Sequence, residues 1–470
     1  MSEILKNNYT MGKLPKRPYH INQINDPESF CKLMKERENI EIPISQDLSV
    51  LHRRHKIGKK SIPNSLAVHP CEGFDGTLNG DPTESVFRRY KRYAEGGSGL
   101  LWFESFAVTT DGIDGKDGPN QLMLEKENIK NVEKLVKETD FAAINKYGSD
   151  NRPYKVVQIS HSGRRSVDAE WDPRPVEGGK NPVLDEAQLG KIIIASDEYI
   201  EKLIEKYIQT AENAMEAGFD GVDMKICHSY ILSDLMGAFT RPGKYGGSFE
   251  NRVRAILDIV DGIRKRCGDN LDICVRMNAY DAIPYPYGWG MVQKEGVMAP
   301  DLAEPIRLLK ILRDKGVKIA NISTSASRYL PFGEGLYAQR NGAEINPYPG
   351  VYFLLDSTKK LKEAVPELLY VGTGLSWFEK FCGHVGAGCI KQGWFDIAGF
   401  GRQALAYPDY AKDLLTKGTL DIKNVCLLCD KCHELSMVGH THVGCVMRDK
   451  EHYLDLYRKK VQKIDSYTDT

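Results

Sequence analysis

From residue 63 onward the chain alternates between short apolar runs, often β-branched, and stretches whose apolar positions recur with helical period. The runs predict strands at 64–69, 99–103, 155–160, 219–224, 273–277, 319–323, 369–372 and 395–399. The clearest helix between them carries Ile200, Leu203, Ile204, Tyr207, Ile208, Ala211, Ala214 and Met215 on one stripe and is ended by Gly218. A second carries Val253, Ile256, Leu257, Val260 and Ile263 and breaks at Gly268. Eight strands separated by helices predict an α/β fold, a (β/α)8 TIM barrel with insertions. A doubly wound sheet would show a glycine fingerprint after its first strand, and none stands there. Residues 1–60 are polar and basic, with clusters at His52, Arg53, Arg54 and His55 and at Lys56, Lys59 and Lys60, and are expected to form an arm packed on the outside. The division that follows is an N-terminal arm over 1–60, a barrel over 61–420 and a C-terminal segment over 421–470.

In such a barrel, chemistry sits where strands run into loops. That rule selects Pro70, Cys71, Glu104, Gln158, His161, Lys225, His228, Tyr230, Arg276, Ser323, the turn Gly372-Thr373-Gly374, and Gly401-Arg402. The last two groups follow the seventh and eighth strands, where barrels often hold phosphate. Glycine lets backbone N–H groups approach an anion closely, and an arginine adds a charge-assisted fork. Tight turns alone would also explain these glycines. The Gln158 amide suits the hydrogen-bonding edge of a flavin ring, and the Arg276 guanidinium suits its anionic reduced form. A barrel-mouth salt bridge is the other reading of Arg276.

Composition removes several function classes. The chain of 470 residues is 41% hydrophobic and 27% charged, which is ample for a large core. Lys plus Arg and Asp plus Glu both number 64, so no global field recruits nucleic acid or an anionic membrane. There is no apolar run of membrane-spanning length and no secretory core at the N-terminus. Eleven cysteines without an export signal point to reduced thiols and a cytoplasmic location. Four of them, Cys426, Cys429, Cys432 and Cys445, are spaced C-x2-C-x2-C-x12-C, so that four thiolates can converge on one inorganic centre. Iron–sulfur would mean one-electron chemistry and zinc a structural clip; spacing leaves both open.

The run Tyr245-Gly-Gly-Ser-Phe-Glu-Asn-Arg252 decides more. With Gln158-x-x-His161-x-Gly-Arg164, Val275-Arg276, Gly401-Arg402 and the cysteine spacing, it resembles the old yellow enzyme family of flavin-dependent ene-reductases. The similarity is to the iron–sulfur branch that includes 2,4-dienoyl-CoA reductase, 2-enoate reductase and trimethylamine dehydrogenase, and it covers residues 56–450. It implies FMN held by Pro70, Cys71, Gln158, Arg276, Gly374, Gly401 and Arg402, with Glu104 and Gly372 beside them. It implies a [4Fe–4S] cluster on Cys426, Cys429, Cys432 and Cys445. Tyr230 stands where many ene-reductases protonate the α-carbon while flavin delivers hydride to the β-carbon.

The chain also departs from the family. Lys225 and His228 occupy the positions of the pair that polarises a substrate carbonyl, and a lysine there favours an anionic substrate. A salt bridge from Lys225 to a neighbour such as Asp223 is the alternative. Cys71 recurs in some members, bonded to flavin in trimethylamine dehydrogenase; a free thiol is the expectation here. The dinucleotide-binding domains of dienoyl-CoA reductases do not follow Cys445 in this sequence. Electrons are therefore expected from NAD(P)H at the barrel mouth, or through the cluster from a ferredoxin or flavoprotein; a homo-oligomer is left open. The leading expectation is reduction of an activated C=C bond of a small molecule. The alternatives are an oxidative amine dehydrogenase or demethylase, and a non-catalytic subunit with a zinc clip. Loops 171–191 and 279–300 are expected to set the substrate.

Overall fold

The computed structural model describes residues 21–114, 121–167, 174–186, 190–325, 347–437 and 441–462. The first twenty and last eight residues, and Trp171 with parts of the 171–191 loop, lie outside them. Eight parallel strands close a barrel: β1 (Leu66–Val68), β2 (Leu100–Ala107), β3 (Tyr154–Ser160), β4 (Gly221–Ile226), β5 (Asp272–Asn278), β6 (Val317–Ser323), β7 (Leu369–Gly372) and β8 (Ile397–Phe400). β8 pairs with β1 through Ala398 and Leu66, which closes the ring. These are the eight strands read from the apolar runs. β4 starts two residues late for a local reason. Helix Asp197–Glu216 ends with Gly218 at φ +89, and Phe219 N–H returns to Ala214 C=O at 3.1 Å, so Phe219 belongs to the helix stop.

The run Tyr245–Arg252 also has a structural account. Ser248 caps helix Phe249–Cys267 by accepting from Asn251 N–H, and Gly247 turns at φ +79. Arg252 is buried; it donates to Met236 C=O at 2.5 Å and Gly247 C=O at 3.0 Å and pairs with Glu304 at 2.5 Å. One arginine ties the helix start to the loop after β4 and to the next helix.

The N-terminal segment is built in more deeply than an outer arm. Strand His55–Ile57 pairs with Lys60–Ile62 in a hairpin, and Ile57 and Ile62 pack with Trp102, Tyr154, Ile319 and Ile397 to floor the barrel. Lys60 Nζ caps the carbonyls of Asp220 (2.6 Å) and Asn270 (3.0 Å). Helix Pro27–Glu38 buries Phe30 against Tyr348, Phe378 and Phe381. At the other end, the cysteine segment docks on helix Glu84–Glu95: Asp449 takes a two-pronged grip from Arg88 (2.8 and 2.9 Å) and a further bond from Arg92. Among the described residues no helix is long and apolar enough to cross a membrane.

Candidate functional site

Inside the barrel, Asp223 on β4 organises the centre. Its carboxylate accepts from Gln158 Nε2 (2.6 Å), Trp102 Nε1 (2.9 Å) and Arg276 N–H (2.6 Å), which fixes the Gln158 amide and the start of the Arg276 side chain. Burial pushes the Asp223 carboxyl up to about 6, against these donors. His69 lies at the end of β1. Asn321 Nδ2 donates to its Nδ1 at 3.1 Å, so Nε2 carries the proton of a neutral ring, and burial lowers its pKa to about 3. Asn321 Oδ1 in turn accepts from Thr373 at 3.1 Å, so β1, β6 and β7 are tied beneath the glycine turns. Pro70 is buried beside His69.

Two helix starts meet above them. Gly374, at φ +88, caps the turn Leu375–Phe381, and Gly401 caps helix Arg402–Ala406; Gln403 N–H donates to Ser376 Oγ at 3.3 Å and joins the two. Their first N–H groups lack intrahelical acceptors, which suits a phosphate. Gly372 answers to packing, since a Cβ there would lie 2.5 Å from the Phe395 ring. Cys71 lies beside Gly401, where an added Cβ would sit 3.3 Å from its sulfur. Burial pushes the Cys71 thiol up to about 11, although Arg276, Arg402 and Arg89 pull the other way. The donor set of Gln158, Arg276 and the two helix starts fits a planar, phosphate-bearing cofactor.

Glu104 has a different setting from the one its strand-end position implies. Its carboxylate is engaged by Arg89, Tyr90 and Gly73 N–H (2.9 Å), with Asp75 on the same guanidinium. It braces the loop after β1.

At the barrel mouth the structure gathers Lys225, His228 and Tyr230 with four residues that sequence reasoning passed over: Glu72, Asp114, Gln121 and Arg165. Tyr230 is fully buried, and its hydroxyl lies 2.7 Å from Glu72 Oε2 and 3.1 Å from Asp114 Oδ2. Lys225 pairs with Glu72 at 3.3 Å, which corrects the Asp223 alternative. Arg165 pairs with Asp114. Both cations also face the Tyr230 ring, Lys225 Nζ at 3.4 Å and Arg165 at 5.1 Å from its centroid. Burial, then the two carboxylates, hold the phenol well above its ordinary pKa, with Arg165 opposing. His228 sits at φ +62 with Nε2 2.7 Å from Ser323 Oγ, and burial keeps its ring neutral. Glu72 follows Pro70-Cys71 directly, so an acid in the loop after the first strand was the available signal. Asp114, Gln121 and Arg165 carry no local pattern.

The 279–300 loop is largely self-packed. Trp289 is buried and donates Nε1–H to Asn278 C=O at 3.0 Å, while Tyr285 is exposed and meets the Phe239 ring.

The four cysteines of the C-terminal segment face one another electrostatically: Cys426 with Cys429 and Cys445, Cys432 with Cys426 and Cys445, and Cys445 with Cys429. Leu428 N–H points at Cys426 Sγ (3.4 Å) and Arg448 N–H at Cys445 Sγ (3.3 Å). Leu428 and Asp430 adopt positive φ, curling the loop round its thiols. No group of three or more His, Cys, Asp or Glu side chains stands in metal-holding geometry among the described residues. The segment is keyed to the glycine turns. Cys426 N–H donates to Gln403 Oε1 at 3.1 Å, and Arg402 pairs with Asp430 at 3.0 Å while facing Cys426 and Cys432.

Residues 53–303 match the family model described as NADH:flavin oxidoreductase / NADH oxidase family. An NADH oxidase of Thermoanaerobacter brockii is 26% identical over 281 residues, 59% of this chain and 39% of that protein. A bilirubin reductase of Mediterraneibacter gnavus (strain CC55_001C) is 26% identical over 414 residues, 85% of this chain and 56% of that protein. The chain therefore matches less than two thirds of either relative. Among solved structures, a 2-naphthoyl-CoA reductase in complex with 2-naphthoyl-CoA superposes with TM-score 0.68 at 19% identity, covering 87% of this chain and 58% of that one.

Proposed function

The chain belongs to the NADH:flavin oxidoreductase / NADH oxidase family, and on that premise we propose that it is a flavin oxidoreductase of old yellow enzyme type that reduces an activated C=C bond with FMN and a [4Fe–4S] cluster. When bound, FMN supplies the hydride for the β-carbon. Gln158 and Arg276 would hold the ring edge, the N–H groups at Gly374 and Gly401 would hold the phosphate with Arg402 beside them, and Pro70 and Cys71 would border the ring. The cluster would be held by Cys426, Cys429, Cys432 and Cys445; the N–H···S bonds to Cys426 and Cys445 support that donor set. Electrons would come from NAD(P)H, or from a ferredoxin or flavoprotein through the cluster.

The observation that carries the reading is Tyr230. A buried phenol kept protonated at the barrel mouth is suited to donate a proton to a carbon whose enolate is the stronger base. His228, held by Ser323, would donate a hydrogen bond to the activating carbonyl. Lys225 and Arg165 each have a carboxylate partner, so the site is charge-compensated. That supports a neutral acceptor rather than the anionic one Lys225 alone suggested. The test is Tyr230→Phe: alkene reduction should slow by ~10²–10⁴-fold, the usual weight of a general acid. Unchanged turnover would contradict the reading.

A further inference from the structure

The phenol of Tyr230 has one proton and two carboxylate neighbours, and the two are not equivalent. Asp114 is 1% exposed in its side chain and is paired with Arg165. Glu72 is 11% exposed, so of the two it is the one with an edge toward water. Its orientation is set by an amide whose direction is determined. Gln121 Oε1 accepts Asp114 N–H at 3.0 Å, which turns Gln121 Nε2 toward Glu72 Oε1 (2.8 Å) and Ser105 C=O (2.9 Å). With Oε1 held, Oε2 faces the phenol at 2.7 Å and Lys225 Nζ at 3.3 Å. Tyr230 itself has no exposed surface, yet a phenol that gives up a proton each turnover must be reloaded.

We propose that Glu72 is the relay residue that returns a proton from water to Tyr230. The inference rests on Tyr230 being the proton donor. In the donating step the phenol O–H bond breaks and a C–H bond forms at the substrate α-carbon, leaving a phenolate. Lys225 and Arg165, over the ring, hold that charge. The Glu72 carboxylate then takes a proton from hydronium at its water-facing edge and, as the carboxylic acid so formed, passes it to the phenolate, which restores carboxylate and phenol. A carboxylic acid is stronger than a phenol by roughly five to six pKa units, so this transfer runs downhill. Glu72 acts through Tyr230 and needs no contact with substrate.

Two measurements on the flavin-loaded enzyme test this. In the first, 3-fluorotyrosine at position 230 is titrated by ¹⁹F NMR without substrate. Among the described residues, the charged groups facing the phenol are Glu72 from the loop after β1, Asp114 from the loop after β2, Arg165 from the loop after β3, and Lys225 on β4. Glu72→Gln removes one of the two negative neighbours, so the phenol should titrate at lower pH, and Glu72→Asp should stay nearer the parent. In the second, enzyme with excess dithionite is mixed with 2-cyclohexen-1-one. Glu72→Gln should give a burst of one product per enzyme and then a steady rate at least tenfold slower, and Glu72→Asp should restore a steady rate without a burst. A ¹⁹F titration that Glu72→Gln does not move, or a Glu72→Gln steady rate equal to the first turnover, overturns the relay. Tyr230→Phe separates the two ideas. If it matches the parent in the first turnover, or the parent reduces no alkene, the donor reading fails and the relay falls with it. If it loses the first turnover while Glu72→Gln shows no burst, only the relay fails.

Discussion

At Cys71 burial and charge pull in opposite directions, and burial wins. Three arginines face the sulfur, yet desolvation pushes the thiol up to about 11, so at neutral pH it is a weak nucleophile. Denaturing the flavin-loaded protein should therefore release all its flavin, as an absorbance spectrum of the filtrate would show. Flavin that stays with the chain would contradict a free thiol. Residue types at the mouth were legible because barrel strand ends concentrate chemistry: Gln158, Arg276, Lys225, His228 and Tyr230 all lie there. Their partners were not legible. For Lys225 the alternative to substrate contact is a salt bridge to an acid such as Asp223, two residues away on the same strand, whereas the carboxylate beside it is Glu72, 153 residues distant. Asp223 is taken up by Gln158, Trp102 and the Arg276 N–H.

Among the elements, the eight strands were readable because buried parallel strands are short continuous apolar runs with glycine punctuation. In the basic N-terminal hairpin Lys56 and Lys59 are exposed, while Lys60 caps strand-end carbonyls and Ile57 and Ile62 fill the barrel floor. The loop after β3 offers a pH test. Arg164 is shared by Glu177 (2.6 Å), Asp185 (2.5 Å) and Asp234 (2.8 Å), three carboxylates on one guanidinium. Burial pushes Glu177 up to about 9, so it is protonated at neutral pH. A carboxyl whose pKa is raised on folding binds more protons in the native state. Its stabilising contribution is present in acid and falls as pH rises from the ordinary carboxylate range toward 9. Glu177→Gln should flatten the dependence of thermal midpoint on pH between about 5 and 9. An unchanged slope would mean that Glu177 is ionised in the folded protein.

On the scale of the whole molecule, the barrel and the cysteine segment form a joined pair. Gln403 and Arg402 follow directly from the β8 glycine turn and bond Cys426 N–H and Asp430, so the phosphate-type loop and the thiol loop share a boundary. Arg88 and Arg92 clamp the segment from the side through Asp449. Cysteine spacing singled out the four thiols, but this docking could not be read from it, because it depends on residues some 360 positions apart meeting in space. Protein purified without oxygen should contain about four irons per chain, the content of a [4Fe–4S] cluster. A colourless protein with one zinc would favour a clip. The central claim, reduction of an activated alkene at Tyr230, is met most directly by anaerobic mixing of the flavin-loaded enzyme with a panel of enones, enoates and amines. The account predicts that an alkene reoxidises the reduced flavin and that no amine reduces the oxidised flavin. An amine that bleaches the oxidised enzyme, with every alkene inert, would contradict it.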